Sequence, residues 1–158
     1  MKVNPVGKKF TEVERAYLAG FFDGDGCIMA TIERHKEKKF GFRIRLTFKV
    51  SQADPFIINY LHNKSGVGKV RKNRTTYDWL IRDQIIVKNI LEMIFPYVKI
   101  KRKQLKYAFR IADKDILNKK DLIQVACLAD ALSRLNVRSK NRRKNYVAMI
   151  QGSFSRND

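Results

Sequence analysis

Apolar and polar positions along the chain change period several times, and each change predicts an element. Thr11-Glu12-Val13-Glu14 is a capping box, in which the Thr11 hydroxyl and the Glu14 carboxylate satisfy backbone N–H groups at a helix start. The helix is predicted over about Glu12 to Asp23, with Gly24 and Gly26 breaking it. Ile28, Ala30 and Ile32 then alternate with Met29, Thr31 and Glu33, which is the period of a strand. After a charged turn over Arg34 to Lys39, Phe42, Ile44, Leu46, Phe48 and Val50 alternate with Arg43, Arg45, Thr47, Lys49 and Ser51. Asp54-Pro55 is an N-cap followed by a first-turn proline, opening a short helix that stops before Ser65-Gly66. Lys69–Arg71 and Tyr77–Arg82 read as two further strands around a turn at Asn73–Thr76. A helix from Gln84 to Phe95 is stopped by Pro96, and helices follow at roughly Lys101–Ala112, Asp121–Leu135 and Asn141–Gln151. The order α-β-β-α-β-β-α with appended helices predicts an α+β fold, a curved four-stranded antiparallel sheet with one face packed on helices.

Composition narrows the class. With 158 residues, 44% of them apolar, the chain has enough material for one core and is read as a single domain over residues 1–158. It has no linker, low-complexity tract or internal repeat. Thirty-four Lys and Arg against fifteen Asp and Glu give a net charge of +19, which calls for a polyanionic partner, nucleic acid or an acidic membrane surface. No apolar run approaches the roughly 20 residues of a membrane span, and the basic N-terminus lacks a signal-peptide apolar core. The expectation is an intracellular protein, neither secreted nor membrane-bound. Cys27 and Cys127 have no metal-ligand spacing with His35 or His62, and are read as small buried residues of a reducing compartment.

The strand pattern places much of the charge. Arg43, Arg45 and Lys49 lie opposite the apolar row of the second strand, and Lys69, Arg71 and Arg82 repeat the arrangement on the later ones. Long cationic side chains on a twisted ribbon can donate to guanine edges in a major groove, and Thr31, Glu33, Ser51 and Asp78 bring mixed polar chemistry for other bases. Two further clusters suit phosphate contacts: six cations without an acid between Lys99 and Arg110, Lys103 among them, and Arg138, Lys140, Arg142, Arg143 and Lys144. Trp79 and the other aromatics fall at apolar positions and are assigned to the core.

The segment Tyr17 to Gly26 carries the chemistry. It is apolar around most of its circumference and spaces Ala16, Gly20 and Gly24 four apart, so that a second backbone can approach closely. It ends in two acids flanked by glycines. Acids at a helix C-terminus oppose the macrodipole, so a functional reason for them is favoured over a simple helix stop. A hard divalent cation held by a carboxylate, a backbone carbonyl and phosphate oxygens would supply one.

Leu18 to Gly26, LAGFFDGDG, resembles the signature of LAGLIDADG homing endonucleases, and more narrowly the single-motif, homodimeric members encoded in ribosomal RNA introns. The element order, the basic sheet face and the run from Pro96 to Gln104 agree with it over nearly the whole chain. The resemblance implies a site-specific, Mg²⁺-dependent endonuclease, with Mn²⁺ or another divalent ion able to substitute. It would hydrolyse both strands of a long pseudo-palindromic double-stranded DNA target, leaving short 3′ overhangs. By the same resemblance Asp25 binds the metal and Gly24 adds its main-chain carbonyl; Gln52 orders the attacking water and Lys101 sits near the scissile phosphate. It places Met29 with the DNA-reading residues. One position departs: Phe56 stands where relatives can carry an arginine. A single motif per chain predicts a two-fold homodimer that meets through Ala16, Ala19, Gly20 and Gly24. An RNA maturase acting on intron RNA and a cleavage-dead DNA-binding protein are the alternatives, and the host compartment is read as archaeal cytoplasm or an organelle.

Overall fold

Thr11 opens the first helix as its sequence requires. In the computed structural model, which describes residues 5–136 and 140–156, the Thr11 hydroxyl accepts from the Glu14 amide (3.3 Å) and the Glu14 carboxylate accepts from the Thr11 amide (2.8 Å). Helix α1 spans Glu12–Asp25, two residues further than predicted, because a glycine weakens a helix interior without ending it. Gly26 ends it in an extended conformation (φ −99°, ψ 163°), so the chain passes directly into β1 (Gly26–Arg34). A Cβ at Gly26 would lie 2.7 Å from both the Cα and the O of Phe22. Only glycine permits so abrupt a junction, and it fixes where Asp25 stands.

The chain continues through β2 (Phe42–Gln52), α2 (Pro55–Ser65), β3 (Lys69–Asn73), β4 (Thr76–Ile81), α3 (Gln84–Ile94), α4 (Arg102–Asp113), α5 (Lys119–Asn136) and α6 (Tyr146–Phe154). The strands of the described residues form one four-stranded sheet in the order β1-β2-β4-β3. Asp54 caps α2 through the Phe56 amide (2.8 Å), and Asp83 caps α3 through Ile86 (3.0 Å). Among the described residues no helix is long and apolar enough to cross a membrane.

Two compact units emerge, one from the residues up to Ile28 with Thr47–Leu105, the other from Met29–Leu46 with the residues from Lys106 onward. In the first unit β2 pairs antiparallel with β4, and β4 with β3, so that Val50, Trp79 and Val70 lie side by side, as do Ser51, Asp78 and Arg71. Directly opposed residues share a sheet face, which separates an apolar row from a polar one. Phe22 of α1 stacks on Phe48 with ring centroids 5.4 Å apart, and Phe48 meets Trp79 edge-on at 5.6 Å. The buried Trp79 indole N–H donates to the Val67 carbonyl (2.8 Å). Gly68 (φ +80°) runs so close to β4 that a Cβ would sit 2.5 Å from the Leu80 carbonyl oxygen.

In the second unit Ile32, Leu122, Val125, Ala129, Leu132 and Ile150 are buried. The last helix begins at Tyr146 rather than near Asn141 as predicted. Buried Asp130 takes the Tyr146 and Val147 amides (2.6 and 3.2 Å), and the Asn145 side chain accepts from Ala148 (3.2 Å), so the start is fixed by a carboxylate on α5 as well as by the local sequence. Cys27 is half-buried, whereas Cys127 lies exposed on α5, contrary to the expectation that both are buried.

Phe48→Ala should cost about 3–5 kcal/mol, since it removes a ring packed between Phe22 and Trp79. Urea unfolding followed by Trp79 fluorescence measures it.

Candidate active site and nucleic-acid interface

The two acids at the end of α1 have different fates. Asp23 faces the entry to α4, where one carboxylate oxygen accepts from the Lys99 (2.7 Å) and Ile100 (3.2 Å) amides and the other from Lys101 (3.0 Å). These N–H groups precede or open a helix and have no partner within it, so Asp23 acts as their cap. Burial alone would raise the Asp23 carboxyl; the N–H bonds from Lys101, Lys99 and Ile100, with the Lys101 charge, outweigh it and hold the group below the ordinary carboxylate range. The structural role expected of Asp23 is the one observed.

Asp25 is exposed, and the Gln52 side-chain amide donates to it at 3.3 Å. Gln52 stands on the helix-packed row of β2, following Phe48 and Val50, which is why it reaches the end of α1. Its own carbonyl oxygen accepts from the Ala53 amide (2.7 Å), and this fixes the NH₂ group toward Asp25. The Lys101 ammonium donates to the Phe22 carbonyl (3.1 Å) and to that of Gly26. A cation thus sits on the C-terminal carbonyls of α1 and offsets the unfavourable placement of two acids there. Gly24 lies in the same last turn, where carbonyls have no donor four residues ahead within the helix.

A cation site here would draw on few protein ligands. Among the described residues no three His, Cys, Asp or Glu side chains cluster. Both Asp23 oxygens are engaged by backbone amides, so the exposed Asp25 carboxylate and a backbone carbonyl are the oxygen donors best placed for an ion. That set suits a hard ion such as Mg²⁺, which keeps several waters and takes substrate phosphate oxygens.

The polar sheet face is built from two groups. In the first unit Lys49, Leu80 and Lys69 form one cross-strand row and Ser51, Asp78 and Arg71 the next, with Arg82 exposed just beyond β4. Asp78 was expected to read a base, but its side chain is wholly buried (0% exposed). It accepts from the Ser51 hydroxyl (2.6 Å), the Asn73 amide (3.2 Å) and the Arg71 guanidinium (3.4 Å). Burial works to raise the Asp78 carboxyl, and the Ser51 bond, the Lys49 charge and the Asn73 and Arg71 bonds overcome it, so its pKa is lowered. Its oxygens are occupied, and the exposed polar side chains around it are Arg71 and Asn73, the second of which reads only as a turn residue in the sequence.

In the second unit Met29 is half-buried, Thr31 exposed, and Glu33 accepts closely from Arg43 with Arg45 at 3.8 Å. The Arg43 hydrogen bond is the main reason the Glu33 carboxyl is lowered. Glu33 therefore aligns two guanidinium groups. Lys103 and Arg142 are exposed and Arg143 is half-buried. Arg138 and the Lys140 side chain lie outside the described residues.

The face of α1 needs one correction. Ala16, Gly20 and Gly24 are exposed, and a Cβ on either glycine would meet nothing within 4 Å. Ala19 is fully buried among the residues of its own unit, so it belongs to the core. Val13 (78% exposed) and Tyr17 (53%) lie beside the small residues at helical spacing and were not anticipated. Phe56 is 73% exposed, and the nearby Lys64 ammonium is paired with Glu14 (3.1 Å).

The profile of the family described as LAGLIDADG endonuclease matches residues 18–112, well over half of the chain. The chain belongs to the LAGLIDADG endonuclease family. It is 31% identical over 133 residues to the DNA endonuclease I-CreI of Chlamydomonas reinhardtii, spanning 81% of this chain and 82% of that protein. To the DNA endonuclease I-CvuI of Chlorella vulgaris it is 32% identical over 130 residues, covering 78% and 80%. The structure of the homing endonuclease I-CvuI with the I-CreI target in the presence of Mg, its DNA not cleaved, superposes with a TM-score of 0.80 at 27% identity, over 92% of this chain and 94% of that one.

Asp23→Ala should destabilise this LAGLIDADG protein by about 1–3 kcal/mol at neutral pH, because three amides lose their acceptor. With its folded pKa depressed, the carboxylate contributes stability above its unfolded value near 4 and loses that contribution as pH falls through the lower folded value. The variant should show a correspondingly shallower acid limb in denaturation curves taken across that range.

Proposed function

We propose that the chain is a site-specific, divalent-metal-dependent DNA endonuclease that acts as a homodimer, hydrolysing both strands of a pseudo-palindromic duplex and leaving short 3′ overhangs. One observation carries this reading: the last acid of the motif stands exposed with the Gln52 amide turned toward it, while Lys101 is held at the same helix end and Asp23 is consumed in placing it. A pure DNA binder has no physical need for an acid offered to a polyanion. The relatives support the substrate, since I-CreI and I-CvuI are DNA endonucleases and I-CvuI has been solved with target DNA and Mg or Ca.

Asp25 and the Gly24 carbonyl would hold the ion, which when bound activates water and stabilises charge on the departing oxygen. Gln52, its amide orientation fixed by Ala53, is set to donate to a water positioned for attack. Lys101 uses two of its three N–H donors on Phe22 and Gly26 and retains one for a phosphate oxygen. Lys49, Ser51, Lys69, Arg71 and Asn73 in one unit, and Thr31, Arg43 and Arg45 in the other, contact base edges and phosphates. Two-strand cleavage needs two such centres. The open line of Val13, Ala16, Tyr17, Gly20 and Gly24 supports a second copy as the source, because nothing among the described residues lies against positions 20 and 24 to explain why they lack side chains.

Asp25→Asn should reduce cleavage of the target duplex in Mg²⁺ below detection while its Kd changes by less than about threefold. Gel assays of cutting and binding on the same preparation check both halves. Gly20→Leu should fold, since its own chain leaves the space open, but sediment as a monomer. A sedimentation coefficient equal to that of the unsubstituted protein would contradict the helix contact.

A further inference from the structure

Lys72 has the wrong parity for the reading surface. Lys69 and Arg71 stand in the polar rows of β3, opposite Leu80 and Asp78, whereas Lys72 alternates to the other side of the sheet and follows Val70. On that side the row of Val50, Trp79 and Val70 is apolar, and the next row toward the end of β2 is Gln52, Tyr77 and Lys72. The core thus gives way in one step to a polar row, and the first member of that row is the side chain that donates to Asp25 at 3.3 Å. Tyr77 is half-buried between the other two, and the Lys72 ammonium lies over its ring, 5.9 Å from the centroid. The backbones of Gln52 and Lys72 are two strand spacings apart, about 10 Å, with the Tyr77 strand between them. A ring face steadies an ammonium without neutralising it as a carboxylate would.

Hydrolysis of a phosphodiester builds negative charge on the oxygens of the phosphate under attack, and a fixed cation facing them lowers the barrier more than it tightens binding. Lys101 keeps one N–H donor for that purpose, and Phe56 at the start of α2, 73% exposed, brings no charge. Lys49 and Arg71 stand on the opposite side of the sheet, whereas the strand register aligns Lys72 with Gln52. We infer that Lys72 is a further catalytic residue, its ammonium stabilising the charge that develops on the scissile phosphate, and that Tyr77 is the positioning residue that holds it there. The ammonium keeps its proton throughout and hands none to the departing oxygen. This assignment rests on the endonuclease reading above and adds to it a residue that strand alternation keeps off the basic reading face.

The test uses the full chain and a duplex that it selects and cuts from a randomised pool. Two quantities are read on each preparation: the single-turnover cutting rate in Mg²⁺ with the duplex saturated by protein, and the Kd in Ca²⁺. Lys72→Met should lower the saturated rate by roughly tenfold or more and change Kd by less than about threefold, because the interaction is made in the transition state. Lys72→Arg should recover most of the rate. Tyr77→Leu should lower the rate by a smaller factor, and Tyr77→Phe should restore it, since the ring and not the hydroxyl carries the ammonium. Lys72 is exposed, so the thermal midpoint should not move; if Lys72→Met fails to fold, Lys72→Gln is read in the same two assays. A saturated rate equal to that of the unsubstituted chain overturns the assignment, and is what a lysine that only blocks pairing at the β3 edge of the sheet would give. A loss confined to Kd overturns it too, since that marks an ordinary backbone contact. In both cases the endonuclease reading stands, whereas an unsubstituted chain that cuts no duplex in the pool removes that reading and this one together.

Discussion

The active end of this protein depends on one carboxylate that does no chemistry. Asp23 gathers three consecutive amides at the entrance to α4, and in doing so it carries the Lys101 ammonium onto the last carbonyls of α1. Without that latch the helix would end in two acids against its own dipole, and the segment from Lys99 to Lys101 would have no fixed place. With it, Asp25 is released from any structural duty. The division of labour between adjacent acids follows from helix geometry: two residues apart, they point in directions about 200° apart, one toward α4 and the other away from the packed side.

Charge on the sheet is organised by the same device. Glu33 and Asp78 look like acids that dilute a basic surface, yet each is tied to guanidinium groups on a neighbouring strand. A free arginine on an open strand samples many rotamers, and an anchoring carboxylate removes much of that freedom before any DNA arrives. The +19 charge supplies attraction, whereas the few acids retained among the cations give it shape.

Much of this was legible in the sequence because it is local. The Thr11–Glu14 box, the Asp54-Pro55 start and the alternation through β2 each depend on residues within a few positions, and all three formed, with β2 departing from strict alternation at buried Thr47 and half-buried Ile44. The motif gave the family, and the profile match and the relatives bear that out. What escaped depends on neighbours distant in the chain. Alternation assigned Asp78 to the polar face, but only the pairing with Ser51 and Arg71 shows that this position is covered. Ala19 sits one residue from Gly20 but about 100° round the helix, which turns it into the core, a distinction that a count of small residues does not make. Asp130, sixteen residues upstream of Tyr146, holds the first amides of α6, and this contact adds to the local cap at Asn145 in a way the sequence does not announce.

The coupling of Ser51, Asn73 and Arg71 through one concealed carboxylate has a corollary for substitution. Replacing Arg71 alone would remove one of the three donors that hold the buried Asp78 carboxylate, and replacing Asp78 alone would take from Ser51, Asn73 and Arg71 the acceptor that orients them. Substitutions within this quartet are therefore coupled to one another, while positions outside such a network can vary one at a time.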